Sequence, residues 1–142
     1  MTSITLEAAT QMIAATTAYG VEHDLKPLSV IVLDAGGHPI AFARANDTSP
    51  ARYAIAHGKA FGAVMMGMSG TTLNALAKDR PEFVASLNTA LGGTVVPVPG
   101  GVLVKCADGK VIGAVGVTGD TSENDADAGQ AGVVAAGFTA DI

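Results

Sequence analysis

Apolar residues in the first third of the chain change from helical to strand-like spacing. Small and apolar residues recur every three or four positions near the start, which predicts an amphipathic helix from the N-cap Thr5 to about His23. The β-branched run at 28–33 predicts a buried strand. A Gly-containing turn and a second apolar run at 39–44 predict that the chain returns as a hairpin.

The middle of the chain is dominated by helical signals. Ser49, as an N-cap, and the proline that follows it predict the start of a helix over 51–66. A shorter helix is predicted from Thr71 until just before Pro81. Residues 81–93 are expected to be irregular or weakly helical.

The last third combines a hairpin with a terminal helix. Apolar runs at 102–106 and 110–118 flank an Asp-Gly turn, which is the clearest hairpin signal in the chain. A short extra strand is predicted near 94–97, and Ser122 is predicted to cap a final helix. The order α-β-β-α-α-β-β-α predicts one α+β domain over 1–142, with helices packed against an antiparallel sheet.

Small residues are unusually frequent. The chain contains 26 alanines and 18 glycines, which make 44 of its 142 residues. With few large side chains, its elements must pack backbone close to backbone. Glycines concentrate in a Pro-Gly-Gly loop, in one predicted strand and in the last helix, at Gly100, Gly101, Gly113, Gly116, Gly129, Gly132 and Gly137. We interpret these positions as places where a ligand or a second subunit approaches, which favours a homo-oligomer.

Charge and composition exclude several function classes. The net charge is −5, aromatic residues make up 4% and tryptophan is absent, so nucleic-acid binding is not expected. The single Cys106, predicted to be a small apolar strand residue, excludes a disulfide framework or a Cys-rich metal site. The first residues do not resemble a signal peptide and no long apolar run is present, which predicts a cytoplasmic protein without membrane contact.

The second predicted helix carries the most suggestive side chains. Tyr53, His57 and Phe61 share one face, while Arg52 and Lys59 share another. The His57 imidazole is a candidate metal or haem ligand or proton shuttle, and the alternative is a hydrogen-bonded interior histidine. The Lys59 ammonium either faces an anionic ligand or is solvated or ion-paired.

Three further segments leave alternatives open. Gly100 and Gly101 either cradle a carboxylate with their backbone N–H groups or form an ordinary turn. The acidic residues at 120–127 suit either a metal ion or helix capping, with capping the simpler explanation. The methionines at 65, 66 and 68 are either soft haem ligands or core filler. His23 and His38 are expected to be exposed.

Several short motifs together resemble a known family. The chain is similar to the GlcG/HbpS-like haem-binding, haem-degrading domain family, which is related to the C-terminal domain of PduO-type proteins. The matching segments, in family order, are Leu6-Glu7-Ala8-Ala9, Val30-Ile31-Val32-Leu33-Asp34-Ala35-Gly36-Gly37, Arg44, Ala56-His57-Gly58-Lys59-Ala60, Pro99-Gly100-Gly101, Ile112-Gly113-Ala114-Val115-Gly116-Val117-Thr118 and Glu123-Asn124-Asp125-Ala126-Asp127-Ala128. Two segments depart from the family pattern: Gly101-Val102-Leu103-Val104 replaces Gly-Gly-Val-Pro-Ile, and Thr118 replaces serine.

The resemblance implies a profilin-like α-β-α arrangement, with a central antiparallel sheet and helices on both faces. It also implies a homo-oligomer and a pocket near the helix that carries Lys59 and near the Pro-Gly-Gly loop. The leading hypothesis is therefore a haem-binding or haem-degrading protein. In it, Arg44 or Lys59 pairs with a haem propionate and His57 is the axial ligand of the iron.

The rival hypothesis is an isomerase, tautomerase or lyase that acts on a small carboxylated metabolite of a catabolic pathway. Lys59 or Arg44 would then hold the carboxylate, and the loop amides would stabilise an enolate-like oxygen. His57 or Asp125 would move protons. The predicted ligand-binding residues under either hypothesis are Arg44, Lys59, Gly100, Gly101 and Thr118. A purely structural subunit is the third possibility.

Overall fold

The structure, a computed structural model, describes residues 3–142. Its elements in chain order are α1 (Leu6–Glu22), β1 (Ser29–Asp34), β2 (Pro39–Ala43), α2 (Arg52–Met66), α3 (Gly70–Asp79), α4 (Pro81–Ala90), β3 (Gly101–Lys105), β4 (Val111–Thr118), α5 (Ser122–Ala135) and β5 (Thr139–Asp141). The strands form one antiparallel sheet in the order β2-β1-β4-β3-β5. Within residues 3–142 no helix has the length and apolar character needed to cross a bilayer.

The sheet is buried on both faces because its strands alternate apolar residues toward two helical layers. Val30 and Val32 of β1 pack with residues of α1 and α5, including Met12 and Val133. Residues of α2 cover the opposite face, which carries Ile31 and its neighbours. The predicted α+β class, with helices on both faces of a central antiparallel sheet, is thus confirmed.

Hydroxyl side chains cap three of the helices, not always at the predicted residue. The Oγ1 of Thr5 accepts a hydrogen bond from Ala8 N at 3.1 Å, as predicted for α1. The cap of α5 is Thr121 instead of Ser122, because Thr121 has the extended backbone that lets its hydroxyl accept from Asn124 N. Ser49 does not cap α2, whose N-cap position is occupied by Ala51 without a side-chain hydrogen bond.

The segment between α3 and β3 differs most from the sequence prediction. Residues 81–90 form α4, which begins with a proline and has Glu82 in its first turn. No strand forms at 94–97, because Val96 N donates to Gly58 O of α2 instead of to a neighbouring strand. The short β5 was not predicted, because three residues are too few to show an alternating hydrophobic pattern. Their strand conformation depends on pairing with β3.

Glycines let α2 lie directly on the sheet. Gly101 and Gly116 are register partners in β3 and β4 and both face α2. A Cβ on Gly116 would collide with the carbonyl oxygen of Ala56, and one on Gly101 with that of Lys59. On the other sheet face, a Cβ on Gly132 of α5 would collide with Thr16 of α1.

These contacts revise the interpretation of the glycine-rich segments. At Gly100, Gly101, Gly113, Gly116, Gly129 and Gly132 the space for a side chain is filled by atoms of the same chain, and only Gly137 of the group has open space. The glycines therefore serve packing within the subunit and do not by themselves indicate a second one. Self-association stays a prediction.

Candidate functional site

Helix α2 presents two chemically different faces. His57 and Lys59 are two residues apart, so they project about 200° apart around the helix axis. Lys59 lies against the sheet and is 3% exposed, whereas His57 is half-buried on the side away from it. The structure therefore does not bring these two predicted site residues into one pocket.

The Lys59 ammonium lies in a buried ion pair. Its Nζ donates to Asp125 Oδ2 at 3.0 Å and to Val117 O at 2.9 Å. The other carboxylate oxygen of Asp125 accepts from Asp120 N at 2.9 Å, so both oxygens have partners. Burial lowers the pKa of Lys59, while the charge and hydrogen bond of Asp125 oppose that shift.

The Pro-Gly-Gly loop closes over this pair. Gly100 has φ +113°, and a Cβ there would lie 2.9 Å from Lys59 Nζ and 2.7 Å from Val117 O. Gly100 O accepts a hydrogen bond from Val117 N, and Gly101 lies against the Lys59 carbonyl. The structure thus brings Lys59, Asp125 and the two glycines together. The glycines cover a buried ion pair, however, and the Lys59 ammonium is already bound by Asp125 and by Val117 O.

His57 lies in a ladder of aromatic rings along the outer face of α2. Its ring stacks on Phe61 with centroids 5.3 Å apart and on Tyr53 with centroids 6.0 Å apart. Phe42 of β2 meets the Tyr53 ring edge-on at 4.9 Å. The face predicted from the spacing of Tyr53, His57 and Phe61 is present.

The His57 imidazole differs from the other two histidines in its polar contacts. The exposed His23 ring nitrogen contacts Tyr19 O at 2.9 Å, and that of His38 lies 3.3 Å from an Asp34 carboxylate oxygen. In the part of the chain that the structure describes, no hydrogen bond or ion pair involves a ring nitrogen of His57. The alternative of a hydrogen-bonded interior histidine therefore has no support in these contacts.

A groove runs beside the His57 ring. It has a volume of about 460 Å³ and is lined by Tyr53, Ala54, Ile55, His57 and residues 93–96. Its walls are mostly apolar, with few polar groups. This size and lining are those of small-molecule sites, which span about 300–1,000 Å³.

Arg44 and Thr118, the remaining predicted ligand-binding residues, lie outside this groove. Arg44 is exposed in the segment just after β2. Thr118 is 1% exposed, and its Oγ1 accepts from Arg52 Nη1 at 2.7 Å. Arg52 was not among the predicted site residues, and its place on the same helical face as Lys59 was the only signal for it.

The acidic segment at the start of α5 has no arrangement suited to a metal ion. Within residues 3–142 no group of three or more histidine, cysteine or acidic side chains could hold one. The Asp120 carboxylate accepts from Asn124 Nδ2, Lys26 N and Thr121 N, and these bonds lower its pKa to about 2. Asp120 does not cap α5, whose N-cap is Thr121, because its oxygens accept from Lys26 N, Thr121 N and the Asn124 side chain. Asp125 is explained by its pair with Lys59.

Cys106 is more polar in its contacts than predicted. It follows β3 and is partly exposed, and its thiol donates to Asp108 Oδ1 at 2.7 Å. That hydrogen bond is the largest cause of a lowered pKa at Asp108.

Known proteins of similar fold provide an independent comparison. The PduOC:heme complex has a TM-score of 0.85 at 24% identity, with 99% of both chains covered. HbpS has a TM-score of 0.82 at 27% identity, with 94% of this chain and 90% of that one covered. ORFY of Klebsiella pneumoniae has a TM-score of 0.81 at 26% identity, with 96% and 92% covered. No curated protein matches the sequence.

The family comparison covers most of the chain. A family model described as haem degrading protein HbpS-like matches residues 4–134. Its match runs from α1 through all but the last residue of α5 and therefore includes every site residue considered above. The chain belongs to the HbpS-like family of haem-degrading proteins.

Proposed function

We propose that the protein binds haem in the groove beside α2, with a ring nitrogen of His57 as an axial ligand of the iron. The observation that carries this proposal is a half-buried imidazole without a hydrogen-bond partner on the wall of an apolar groove. Membership of the HbpS-like family and the likeness to a protein solved with heme both support it.

The residues of the groove suit a flat, apolar ligand with one coordinating atom. Neutral imidazole is a common haem ligand, and the stacked rings of Tyr53 and Phe61 hold its orientation. The apolar wall at 93–96 contributes Val95 and Val96, which would exclude water from one face of the porphyrin.

The charged ends of the ligand need cations at the rim. Lys59 is unsuited to this role because its ammonium is already enclosed with Asp125. Arg44 is not among the residues that line the groove, but it is exposed and has no ion pair within residues 3–142, so we propose it as the partner of a propionate that extends out of the groove.

Hemin titration tests the binding proposal. Wild-type protein is expected to give a saturable Soret shift, and His57→Ala to alter the Soret position and weaken binding. His23→Ala is the matched control, because His23 is exposed and outside the groove. Equal spectra and hemin affinities for wild type and His57→Ala would overturn the assignment of His57 as the axial ligand of the iron.

The degrading activity in the family description is a separate part of the proposal. Bound haem would supply the redox-active iron, and the chain would contribute His57 as ligand and an apolar wall around the macrocycle. The hemin-loaded protein, incubated with ascorbate and dioxygen, is expected to lose its Soret band faster than hemin bound to serum albumin. A rate no faster than that control would leave binding as the only function.

A further inference from the structure

A second cleft lies beside the first turn of α2 and shares no residue with the His57 groove. Its volume is about 170 Å³, and the residues that matter for its chemistry are Lys26, Asp47, Thr48, Ser49, Arg52 and Gly119. Two of these side chains are cations and two are hydroxyls. Such a lining is suited to a small polar ligand.

Arg52 is held in place at this cleft. One guanidinium nitrogen, Nη1, donates to the buried Thr118 hydroxyl at 2.7 Å. Among residues 3–142 neither Arg52 nor Lys26 has a carboxylate within ion-pair distance. The guanidinium therefore keeps most of its five N–H donors for a ligand, in a fixed orientation.

A second buried hydroxyl accompanies Thr118. Ser29 is its register partner across β1 and β4, so both side chains lie on the sheet face that α2 covers. Ser29 is fully buried, and its Oγ has no hydrogen-bond partner within residues 3–142. Buried hydroxyls without partners are rare. Ser29 lies beside Thr118, behind the cleft and not on its lining, so it adds an unpaired polar group next to the residue that fixes Arg52.

The charges around the cleft favour an anion. Asp47 lines the cleft and is its only acidic lining residue, against Lys26 and Arg52. Asp120 lies beside the cleft and keeps its negative charge, because its three hydrogen-bond donors are neutral, so the positive balance is that of the lining side chains alone. Asp125 is neutralised by Lys59. The N-terminus of α2 also has no acidic residue in its first turn, so its positive dipole end is not neutralised.

We propose that this cleft binds a small oxyanion, a carboxylate or a phosphate. Arg52 is the main ligand through its free N–H groups, Lys26 adds a second positive charge, and the Ser49 hydroxyl donates to a remaining oxygen. The Thr48 hydroxyl is already donated to Ala45 O at 3.0 Å, so Thr48 lines the cleft without serving as a donor. Thr118 is a positioning residue that fixes the guanidinium. The site does not depend on haem, and in it Arg52 takes the carboxylate-binding role that was predicted for Lys59 or Arg44.

Titration of the full-length, hemin-free protein tests the proposal. Inorganic phosphate and acetate are added separately at constant ionic strength, and amide shifts are followed by NMR. Saturable shifts are expected at Gly119 and Thr48. The ratio of the two affinities identifies phosphate or carboxylate as the preferred oxyanion.

Four variants give the proposal sharp outcomes. Arg52→Gln is expected to weaken binding about tenfold or more, since hydrogen bonds from charged groups are the strong ones. Asp47→Asn, which keeps a residue that tolerates φ +63°, is expected to tighten it. Arg80→Gln, at an exposed arginine outside the cleft, and His57→Ala are expected to leave it unchanged.

Two results would overturn the proposal. One is the absence of saturable shifts in wild-type protein with either anion. The other is an equal loss of affinity in Arg52→Gln and Arg80→Gln. Because His57→Ala removes the haem ligand but not this cleft, failure here is separable from failure of the haem proposal.

Discussion

Lys59 and His57 lie within one turn of α2 but face opposite sides of the helix, and their environments differ accordingly. Lys59 faces the sheet, where a charge persists only with a partner, and Asp125 provides it from α5. His57 faces the groove among aromatic rings and keeps its nitrogens free of protein hydrogen bonds. Position on the helix therefore separates an ion pair that supports the fold from a side chain available to a ligand.

Removal of one partner of the buried ion pair is expected to destabilise the protein strongly. Asp125→Asn leaves the Lys59 ammonium buried without its counter-ion, at a cost of about 3–5 kcal/mol in the free energy of unfolding. Urea unfolding at neutral pH measures the difference.

The double variant Lys59→Met/Asp125→Leu is the matched control for that prediction. It removes both charges at similar volume, so it is expected to lose less stability than Asp125→Asn. A single variant as stable as wild type would contradict the structural role of the pair.

Asp120 is expected to titrate near pH 2. Its lowered pKa has Asn124 as the largest cause, so Asn124→Ala is expected to raise the midpoint toward 3.8. Because the folded pKa lies below the unfolded value, its contribution to stability is present above pH 3.8 and is lost as pH falls toward 2. Carboxyl-carbon NMR titration of both proteins checks the midpoints, and an unchanged midpoint in Asn124→Ala would contradict the assigned cause.

At the scale of elements, the packing of α2 on the sheet is the feature that positions both clefts. The helix approaches β3 and β4 over the neighbouring pair Gly101 and Gly116, where no side chain separates the backbones. This contact places Lys59 under the Pro-Gly-Gly loop and leaves the aromatic ladder on the outside.

A methyl group at that contact is expected to disturb the packing. Gly116→Ala would place a Cβ against the Ala56 carbonyl oxygen, and overpacking of this kind costs about 1–3 kcal/mol. Gly109→Ala, at φ +84° with no atom nearby, measures the cost of backbone strain alone. Thermal unfolding of both variants compares the two effects, and a Gly116→Ala variant as stable as wild type would contradict the predicted clash.

Elements with a strong local pattern were predictable from the sequence. The run at 28–33 reads as a buried strand because β-branched residues occupy consecutive positions, and β1 covers 29–34. The α4 helix at 81–90 buries only Val84, so its pattern is weak. Its position depends on packing against α3, and a local hydrogen bond from Val95 N to Asn88 Oδ1 joins it to the loop that follows.

The site was predictable only in part, because only some of its contacts follow from a local sequence pattern. Spacing along one helix places Tyr53, His57 and Phe61 together, and the structure has them stacked. The pairing of Lys59 with Asp125 and of Arg52 with Thr118 joins residues that are 66 positions apart. No local sequence pattern predicts these two pairings, because they form only when β4 and α5 pack against α2.

For the whole molecule, the two clefts on opposite flanks of the first half of α2 predict two independent binding events. The apolar groove lies on the side of residues 93–96, and the polar cleft lies on the side of Lys26 and Gly119. Haem chemistry and oxyanion binding would then be separable by single substitutions in the same helix.

Self-association is a further prediction at this scale. It rests on the family resemblance, because the buried glycines are occupied by contacts within the subunit. Size-exclusion chromatography with light scattering is expected to give a multiple of the 14.1 kDa chain mass. A mass of one chain at working concentrations would contradict it.

A crystal structure of the hemin-loaded protein would show whether His57 and its groove hold haem. The macrocycle is expected between α2 and residues 93–96, with a His57 ring nitrogen bound to the iron. Haem located elsewhere on the protein, or an iron ligated by a residue other than His57, would contradict this expectation.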